Sequence, residues 1–193
     1  MTIFYLQQKN MAPPGYVLQD NSKSHFVDNW DVGFNELPYS TTNTENLHQL
    51  LGGFFKYYSE FNYEEYIIST FSGRPIPKSA FKGIDNFPQE YTLRNNTWKR
   101  TIHFAIQNNL NMSTDVCVQR PLEHDSNAAQ RLSHEHTAKF KYLLKSAATM
   151  FEHLPSNSIL GAILVINRNK KLVINVKDTA VDGIIEQECI EIT

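Results

Sequence analysis

Two histidines flank a glutamate in the segment His134-Glu135-His136, and imidazole and carboxylate groups are common metal ligands. The segment opens a stretch of helical periodicity, in which side chains at i and i+2 point about 200° apart. Because the two imidazoles cannot then share one ion, we interpret the segment as a solvated helix start. The cysteines, Cys117 and Cys189, give neither a disulfide framework nor the spacing of a zinc site.

A second candidate for chemistry is a basic and aromatic cluster formed by Arg94, Trp98, Lys99 and Arg100. Such clusters can hold a nucleic-acid backbone and stack a base, for about 1–3 kcal/mol per stacked base. The cluster is therefore a candidate RNA-binding surface, and a packed tryptophan among solvated charges is the alternative. The sequence contains no P-loop, dinucleotide-binding fingerprint or nucleophile elbow.

Composition limits the class of protein. Apolar residues make up 41% of the chain and charged residues 20%, which is typical of a globular protein. The formal net charge is -2, so any contact with nucleic acid has to be local rather than the work of a general basic field. No apolar run reaches membrane-spanning length, and we expect no membrane partner.

Capping residues and apolar periodicity predict two helices. Thr42 and Glu45 have the spacing of a capping box, and the apolar face after them comprises Leu47, Leu50, Leu51, Phe54 and Tyr58. The pair Gly52-Gly53 interrupts this face, as glycine does where another segment must come close. The second helix is capped by Ser133 and carries on one face Phe140, Leu143, Leu144, Ala147 and Phe151.

Between the helices the pattern is less regular. Residues 61–71 predict a short strand or the start of a hairpin, which residues 73–77 should end. Residues 78–113 predict a long, loosely structured connection with a short helix near Ile102 to Ile106. Residues 116–119 form a short β-prone run before Arg120-Pro121.

The end of the chain has a different pattern. Residues 159–166 and 172–176 are β-branched runs, and the polar residues 167–171 between them predict a β-hairpin. The fold class we expect is α+β, mainly helical with short strands, plus this C-terminal β-hairpin extension. The uncapped apolar start, Met1 to Leu6, reads as the second half of a helix or as a short buried element.

Three stretches, in order, resemble the PAP-associated region of the poly(A) polymerase and terminal uridylyltransferase family. Residues 43–70 (NTENLHQLLGGFFKYYSEFNYEEYIIST) resemble the family helix of the form "LL..FF.YY" and the segment after it. Residues 2–9 (TIFYLQQK) resemble a helix that ends in "FLQ" before a turn containing proline. Residues 116–133 (VCVQRPLEHDSNAAQRLS) resemble the nucleotide-recognition segment "QDPFE..HNV". Among the family, mitochondrial poly(A) polymerases are somewhat more similar than the others.

The resemblance implies a nucleotide-binding role for Glu123, Ser126, Asn127 and Arg120. Glu123 and Asn127 match the family pattern, whereas Arg120 replaces its aspartate and Leu122 its phenylalanine. Members that select UTP place a histidine at the position of Ser126. A hydroxyl is shorter than an imidazole and would not reach the same uracil edge, so we expect ATP to be favoured over UTP.

In this family a nucleotidyltransferase domain precedes the matched region. It carries a Gly-Ser turn and metal-binding aspartates, and Mg²⁺ or Mn²⁺ ions support attack of the RNA 3′-OH on the nucleotide there. The resemblance therefore implies that the chain is the C-terminal half of an RNA 3′-end nucleotidyltransferase, with no catalytic residue and no metal of its own. Its partners would be an NTP and an RNA 3′ end, in a mitochondrial, cytoplasmic or nuclear location.

The expected organisation is a PAP-associated domain over residues 1–155 and the hairpin extension over residues 156–193. The alternative function is a degenerate, non-catalytic RNA- or protein-binding module of the same family. Its motivation is the departure from pattern at Arg120 and Leu122, together with a hairpin whose exposed strand edge could pair with a protein partner. An unrelated helical domain is the third possibility.

Overall fold

The computed structural model describes residues 1–19, 25–27, 30–92, 96–154, 159, 173–175 and 189–191. For Trp30, residues 96–99 and the last two segments, it describes the backbone alone. The elements in chain order are α1 (Thr2–Gln8), α2 (Gly15–Leu18), β1 (Phe26–Val27), β2 (Trp30–Asp31), α3 (Leu47–Glu60), β3 (Tyr66–Ser69), β4 (Arg74–Pro77), α4 (Asn96–Asn109), β5 (Val118–Gln119), α5 (His134–His153), β6 (Val173–Asn175) and β7 (Cys189–Glu191).

The chain divides into two compact units. The first comprises Met1–Thr44 and Asn62–Thr137, and the second comprises Glu45–Phe61 and Ala138–Thr193. The α+β class is confirmed. No helix in the described ranges is long and apolar enough to cross a membrane.

A small mixed sheet, in the order β4-β3-β5, organises the first unit. β3 pairs antiparallel with β4 and parallel with β5, with Ile68 opposite both Pro75 and Val118. The predicted strand or hairpin over residues 61–71 is confirmed as β3. The expectation that residues 73–77 end it is wrong, because they form the second arm. Prolines at Pro75 and Pro77 are compatible with a strand here because β4 lies at the edge of the sheet.

The turn between β3 and β4 holds the start of the chain in place. Gly73 has φ +67°, and a Cβ atom on it would lie 2.8 Å from the ring of Pro14. The backbone N–H groups of Gly15 and Tyr16 donate to the carbonyls of Thr70 and Phe71, each at 3.0 Å. Glycine is therefore required at residue 73 both for its backbone conformation and for this contact.

The connection over residues 78–113 is far more ordered than predicted. It contains three short 3-10 helices, Lys78–Phe81, Ile84–Asn86 and Gln89–Thr92, and then the 14-residue helix α4. Its side chains supply much of the core, which comprises Ile67, Phe71, Ile76, Phe81, Phe87, Tyr91, Ile102, Ile106, Leu110 and Cys117. The prediction failed because it relied on the spacing of apolar residues along long helices and strands. The 3-10 helices here are only three or four residues long, so their aromatic residues show no such spacing.

In the second unit, α3 begins four residues later than the predicted capping box. Asn46 accepts a hydrogen bond from the Gln49 backbone, and the Gln49 side chain accepts one from the Asn46 backbone, each at 2.9 Å. The box is therefore Asn46 with Gln49, and the prediction of Thr42 with Glu45 is wrong. Leu47, predicted on the apolar face, is 80% exposed in the first turn, whereas Tyr58 is fully buried.

Helix α5 follows the prediction more closely. Ser133 caps it, since its hydroxyl accepts a hydrogen bond from the His136 backbone at 3.2 Å. Of the predicted face, Leu144 and Ala147 are buried. Within this unit Phe151 lies against α3, and a Cβ atom on Gly52 would lie 3.0 Å from its ring. Gly52 therefore lets the two helices approach each other closely.

The predicted C-terminal hairpin is not shown. Its first arm, residues 159–166, lies outside the described residues except for Ile159, which is helical. β6 lies within the second arm, but it pairs antiparallel with β7, with Ile174 opposite Ile190. The β-branched pattern thus indicated the strand at 173–175, but its partner lies farther along the chain.

Candidate functional site

The segment predicted to recognise a nucleotide forms a closed loop in the first unit. We call residues 119–127 the recognition loop. Gln119 and Asn127 form an antiparallel bridge at its base. Next to this bridge the Ala128 N–H donates to the Val118 carbonyl at 2.8 Å, and the Arg120 N–H donates to the Ser126 carbonyl at 3.0 Å. The loop therefore leaves the end of β5 and returns to the same point.

Asn127 fixes the outgoing end of the loop. It is 1% exposed, and its Oδ1 accepts hydrogen bonds from the backbone of Val118 at 3.0 Å and of Ala129 at 2.9 Å. Its Nδ2 lies 3.0 Å from the Asn111 carbonyl and 2.9 Å from the Thr114 hydroxyl oxygen. The amide is engaged on both sides, so it acts on the loop as a structural brace.

Gln119 fixes the incoming end through a buried polar network. Its Oε1 accepts hydrogen bonds from the Ser69 hydroxyl at 2.7 Å and from the Tyr91 hydroxyl at 2.5 Å. Its Nε2 donates to the His124 carbonyl inside the loop at 2.7 Å. The sheet and the turn before α4 are thus connected directly to the middle of the recognition loop.

Burial of this network has electrostatic consequences. Burial raises the pKa of Tyr91 to about 12, although hydrogen bonds with Ser69, Ser72 and Gln119 oppose the shift. Burial also raises the pKa of the Cys117 thiol to about 12. At neutral pH Tyr91 is therefore a neutral hydrogen-bond donor, and Cys117 is protonated and a poor nucleophile.

The residues predicted to contact the nucleotide lie at the outer side of this loop. The Arg120 guanidinium and the Glu123 carboxylate form an ion pair at 2.6 Å, and both side chains are about half exposed. Ser126 is partly exposed, and its backbone N–H donates to the Glu123 carbonyl at 3.0 Å. The structure therefore brings Arg120, Glu123 and Ser126 together, with Asn127 buried beneath them.

His124, in the middle of the recognition loop, packs its ring into the aromatic core. Its ring centroid lies 4.3 Å from that of Phe71 and 5.5 Å from that of Tyr91, and the residue is 3% exposed. The ring of His124 therefore anchors the recognition loop to Phe71 and Tyr91. The loop is held by this packing as well as by hydrogen bonds.

The predicted RNA-binding cluster is only partly described. Arg94 lies outside the described residues, and Trp98 and Lys99 are placed by backbone alone in the first turns of α4. Arg100 is exposed on the same helix. The RNA-binding role of these residues stays a prediction.

The histidine pair near the start of α5 has separate partners. His134 Nδ1 lies 2.6 Å from the Asp115 carboxylate, and His136 Nδ1 lies 2.6 Å from the Ser133 hydroxyl. Within the described part of the chain, no group of three or more His, Cys, Asp or Glu side chains could hold a metal ion.

Sequence reasoning did not find Gln119, Ser69 or Tyr91. One local feature of the sequence pointed to Gln119, because it is the last residue of a β-prone run and directly precedes Arg120-Pro121. Ser69 and Tyr91 lie 50 and 28 positions from it along the chain, so no local pattern could have joined them.

Residues 46–125 match the family model described as PAP_assoc, Cid1 family poly A polymerase. The predicted resemblance to the PAP-associated region of the poly(A) polymerase and terminal uridylyltransferase family is confirmed over this part of the chain. The match includes α3, the sheet and most of the recognition loop. No curated protein matches the chain.

Solved structures share the fold. A crystal structure of mtPAP in complex with ATPgammaS is 18% identical with a TM-score of 0.58, over 83% of this chain and 29% of that chain. A crystal structure of the Cid1 poly (U) polymerase with Mg and 3'-dATP bound is 17% identical with a TM-score of 0.55, over 83% of this chain and 45% of that chain. This chain thus spans less than half the length of the solved chains it matches.

Proposed function

We propose that this chain, with its PAP-associated domain at residues 46–125, is the nucleotide-recognition part of an RNA 3′-end nucleotidyltransferase that favours ATP over UTP. The observation that carries the proposal is the recognition loop. Gln119 and Asn127 brace both of its ends, and Glu123 and Ser126 lie on its accessible side. A loop held in this way can present hydrogen-bonding groups to a base without first having to become ordered.

The preference for ATP rests on Ser126. A site built around a polar contact discriminates sharply only when that contact is made. The Ser126 hydroxyl is short and its backbone is tied to Arg120 and Glu123, so it cannot move outward to replace a longer imidazole. The UTP-selective contact expected of a histidine at this position is therefore missing.

Metal-dependent transfer is not assigned to the described residues. The phosphoryl-transfer chemistry of this family uses divalent cations, but the described carboxylates and histidines form no group that could hold one. We assign this chain the binding and orientation of the nucleotide, while the RNA tail would be guided by the basic residues near Trp98.

The test replaces Ser126 with histidine, whose polar atoms lie farther from the backbone. We expect Ser126→His to shift the ratio of ATP to UTP dissociation constants toward UTP by roughly threefold to tenfold, the value of one added hydrogen bond. The constants would be measured by NMR titration of the full chain, from the backbone amides of residues 120–126. An unchanged ratio would remove Ser126 from the site.

Ser79→His is the matched control, because Ser79 is exposed in a 3-10 helix outside the loop. It should leave both constants unchanged. A shift in the control equal to that of Ser126→His would show that the added imidazole acts nonspecifically.

A second candidate is a non-catalytic RNA- or protein-binding module. The Arg120–Glu123 ion pair favours it, because the guanidinium neutralises the acidic residue that the family keeps for its nucleotide. The discriminating measurement is tailing activity of the longest natural product of the gene with Mg²⁺ and NTPs. Robust RNA extension would exclude this candidate.

A further inference from the structure

Helix α4 carries an aromatic ring on the side that faces away from the core. Ile102 and Ile106 are 2% and 0% exposed and belong to the core of the first unit. Phe104 lies midway between them in the helix, so its side chain points about 200° away from each. At 69%, Phe104 is the most exposed of the described aromatic side chains of Phe, Tyr and Trp. The buried isoleucines thus hold the backbone that presents this ring to the outside.

A phenylalanine at this position departs from the pattern of an amphipathic helix, whose outer side is polar. The residues one turn before and one turn after Phe104 follow that pattern, since Arg100 and Asn108 are exposed and polar. Side chains at i and i+4 are neighbours on a helix surface. A flat aromatic ring and a guanidinium group therefore lie next to each other on the outer face of α4.

The chain around this face is basic. From residue 91 to residue 114 the sequence contains Arg94, Lys99 and Arg100, and it contains neither aspartate nor glutamate. The chain as a whole has a formal net charge of -2, so this stretch differs in sign from the rest. A local positive charge of this kind attracts a polyanion.

Two acidic residues outside this stretch lie close to α4, and each has a partner. Glu90, in the 3-10 helix before α4, forms an ion pair with Arg74 at 2.9 Å. Asp125 accepts a hydrogen bond from the Asn109 side chain at 2.9 Å, at the C-terminal end of the helix. Neither acid pairs with Arg100 in these contacts.

The contact between Asn109 and Asp125 also connects α4 with the recognition loop, to which Asp125 belongs. The step from Phe104 to Asn109 is about 7.5 Å along the helix axis. This distance corresponds to roughly two stacked nucleotides at about 3.4 Å each. A single strand whose 3′ end lies at the loop could therefore reach Phe104 within a few nucleotides.

We propose that Phe104 stacks on a base of single-stranded RNA and that Arg100 contacts the phosphate backbone of the same strand. Proteins bind single strands by combining aromatic rings with cations, because every base has a face that can stack and every phosphate is an anion. The choice of RNA rests on the proposed function, since its 3′ end would lie at the recognition loop. An acidic peptide would satisfy Arg100 but would leave the flat ring of Phe104 without a matching group.

The first test measures binding of the full chain to a fluorescein-labelled oligo(A) decamer by fluorescence anisotropy, without NTP and at about 50 mM salt. We expect Phe104→Ala to weaken binding by roughly fivefold or more, and Phe104→Trp to keep it. Phe26→Ala is the matched control, because Phe26 is 56% exposed in β1, and it should leave binding unchanged. Equal effects of the two alanine substitutions, or no saturable binding by the wild type, would overturn the proposal.

The second test separates the bases from the phosphates with an abasic decamer, which keeps the charges and lacks the rings. Phe104→Ala should leave binding of the abasic decamer unchanged. Arg100→Ala should weaken binding of both decamers and lower the slope of log K against log salt by about 0.7. Lys139→Ala, which removes an exposed cation from α5, should leave this slope unchanged. An equal loss of both decamers in Phe104→Ala, or competition by a glutamate decapeptide as strong as by RNA, would contradict stacking.

NTP binding at the recognition loop is measured separately, by NMR from the backbone amides of residues 120–126. Phe104→Ala should leave the NTP dissociation constants unchanged, because Phe104 lies outside the loop. Phe104-dependent RNA binding without NTP binding would retain the stacking site and exclude the proposed function. NTP binding without an effect of Phe104 on RNA would retain the proposed function and exclude the stacking site.

Discussion

Tyr91 is a neutral phenol that the fold keeps from ionising. Its hydroxyl joins Ser69 and Gln119 in the network that supports the recognition loop. Water cannot solvate a phenolate at this position, and burial therefore raises the pKa of Tyr91 to about 12 from the ordinary tyrosine value of about 10. The hydroxyl thus contributes to stability only while it carries its proton.

We predict that Tyr91→Phe lowers the free energy of unfolding by about 1–2 kcal/mol at pH 7, because the buried hydrogen bond from its hydroxyl to Gln119 is lost. The folded-state pKa lies above the unfolded value, so the stabilisation is complete below pH 10 and is lost as pH rises from 10 to 12. The difference between wild type and variant should shrink by about 1 kcal/mol at pH 10.5.

Urea unfolding of both proteins at pH 7 and pH 10.5 measures this difference. Cys117 and the other titrating groups are present in both proteins and cancel. A difference that stays constant with pH would mean that Tyr91 is not shielded from water as its surroundings indicate.

At the scale of elements, Gly52 and Phe151 govern how closely α3 and α5 pack. A methyl group at residue 52 would lie 3.0 Å from the phenylalanine ring, closer than ordinary contact. His48 and Phe55 also contact this ring, with centroids 5.1 and 5.6 Å away, so it has little room to withdraw. The glycine weakens α3 as a helix but allows the ring to pack.

We predict that the effect of Gly52→Ala on the free energy of unfolding changes sign when Phe151 is replaced by alanine. In the wild type the substitution should lower the free energy of unfolding by about 1 kcal/mol. Crowding of the added methyl group against Phe151 outweighs the roughly 1 kcal/mol that alanine gains over glycine in a helix. In a Phe151→Ala background the same substitution should stabilise by up to about 1 kcal/mol. Thermal or urea unfolding of the four proteins gives both values, and an identical effect in both backgrounds would refute the contact.

Local pattern predicted some of these elements and missed others for physical reasons. Ser133 was found as a cap because its signal lies within three residues of the group that it caps. Thr42 and Asn46 both precede residues able to complete a capping box, and local spacing does not show where the first helical turn begins. Tyr91 joins Gln119 only through the fold, so the resemblance to a family identified the recognition loop but not its support.

At the scale of the whole molecule, the described residues include the recognition loop but no group of His, Cys, Asp or Glu side chains that could hold a metal ion. We predict that the chain alone does not extend an oligo(A) primer with any single NTP and either Mg²⁺ or Mn²⁺. Transfer to a 3′-OH needs cations that neutralise the triphosphate, and these need converging carboxylates. Primer extension resolved on a denaturing gel measures this, and any metal-dependent lengthening would contradict it.

The prolines in β4 have a further consequence for association between molecules. Pro75 and Pro77 occupy alternate positions, so the nitrogens of both face the same side of the strand, and neither carries a hydrogen. An incoming strand at the outer edge would find carbonyl groups but no donors at these two positions. The sheet therefore cannot serve as a template for fibril growth or strand exchange along this edge, although its neighbour β3 is apolar and β-branched.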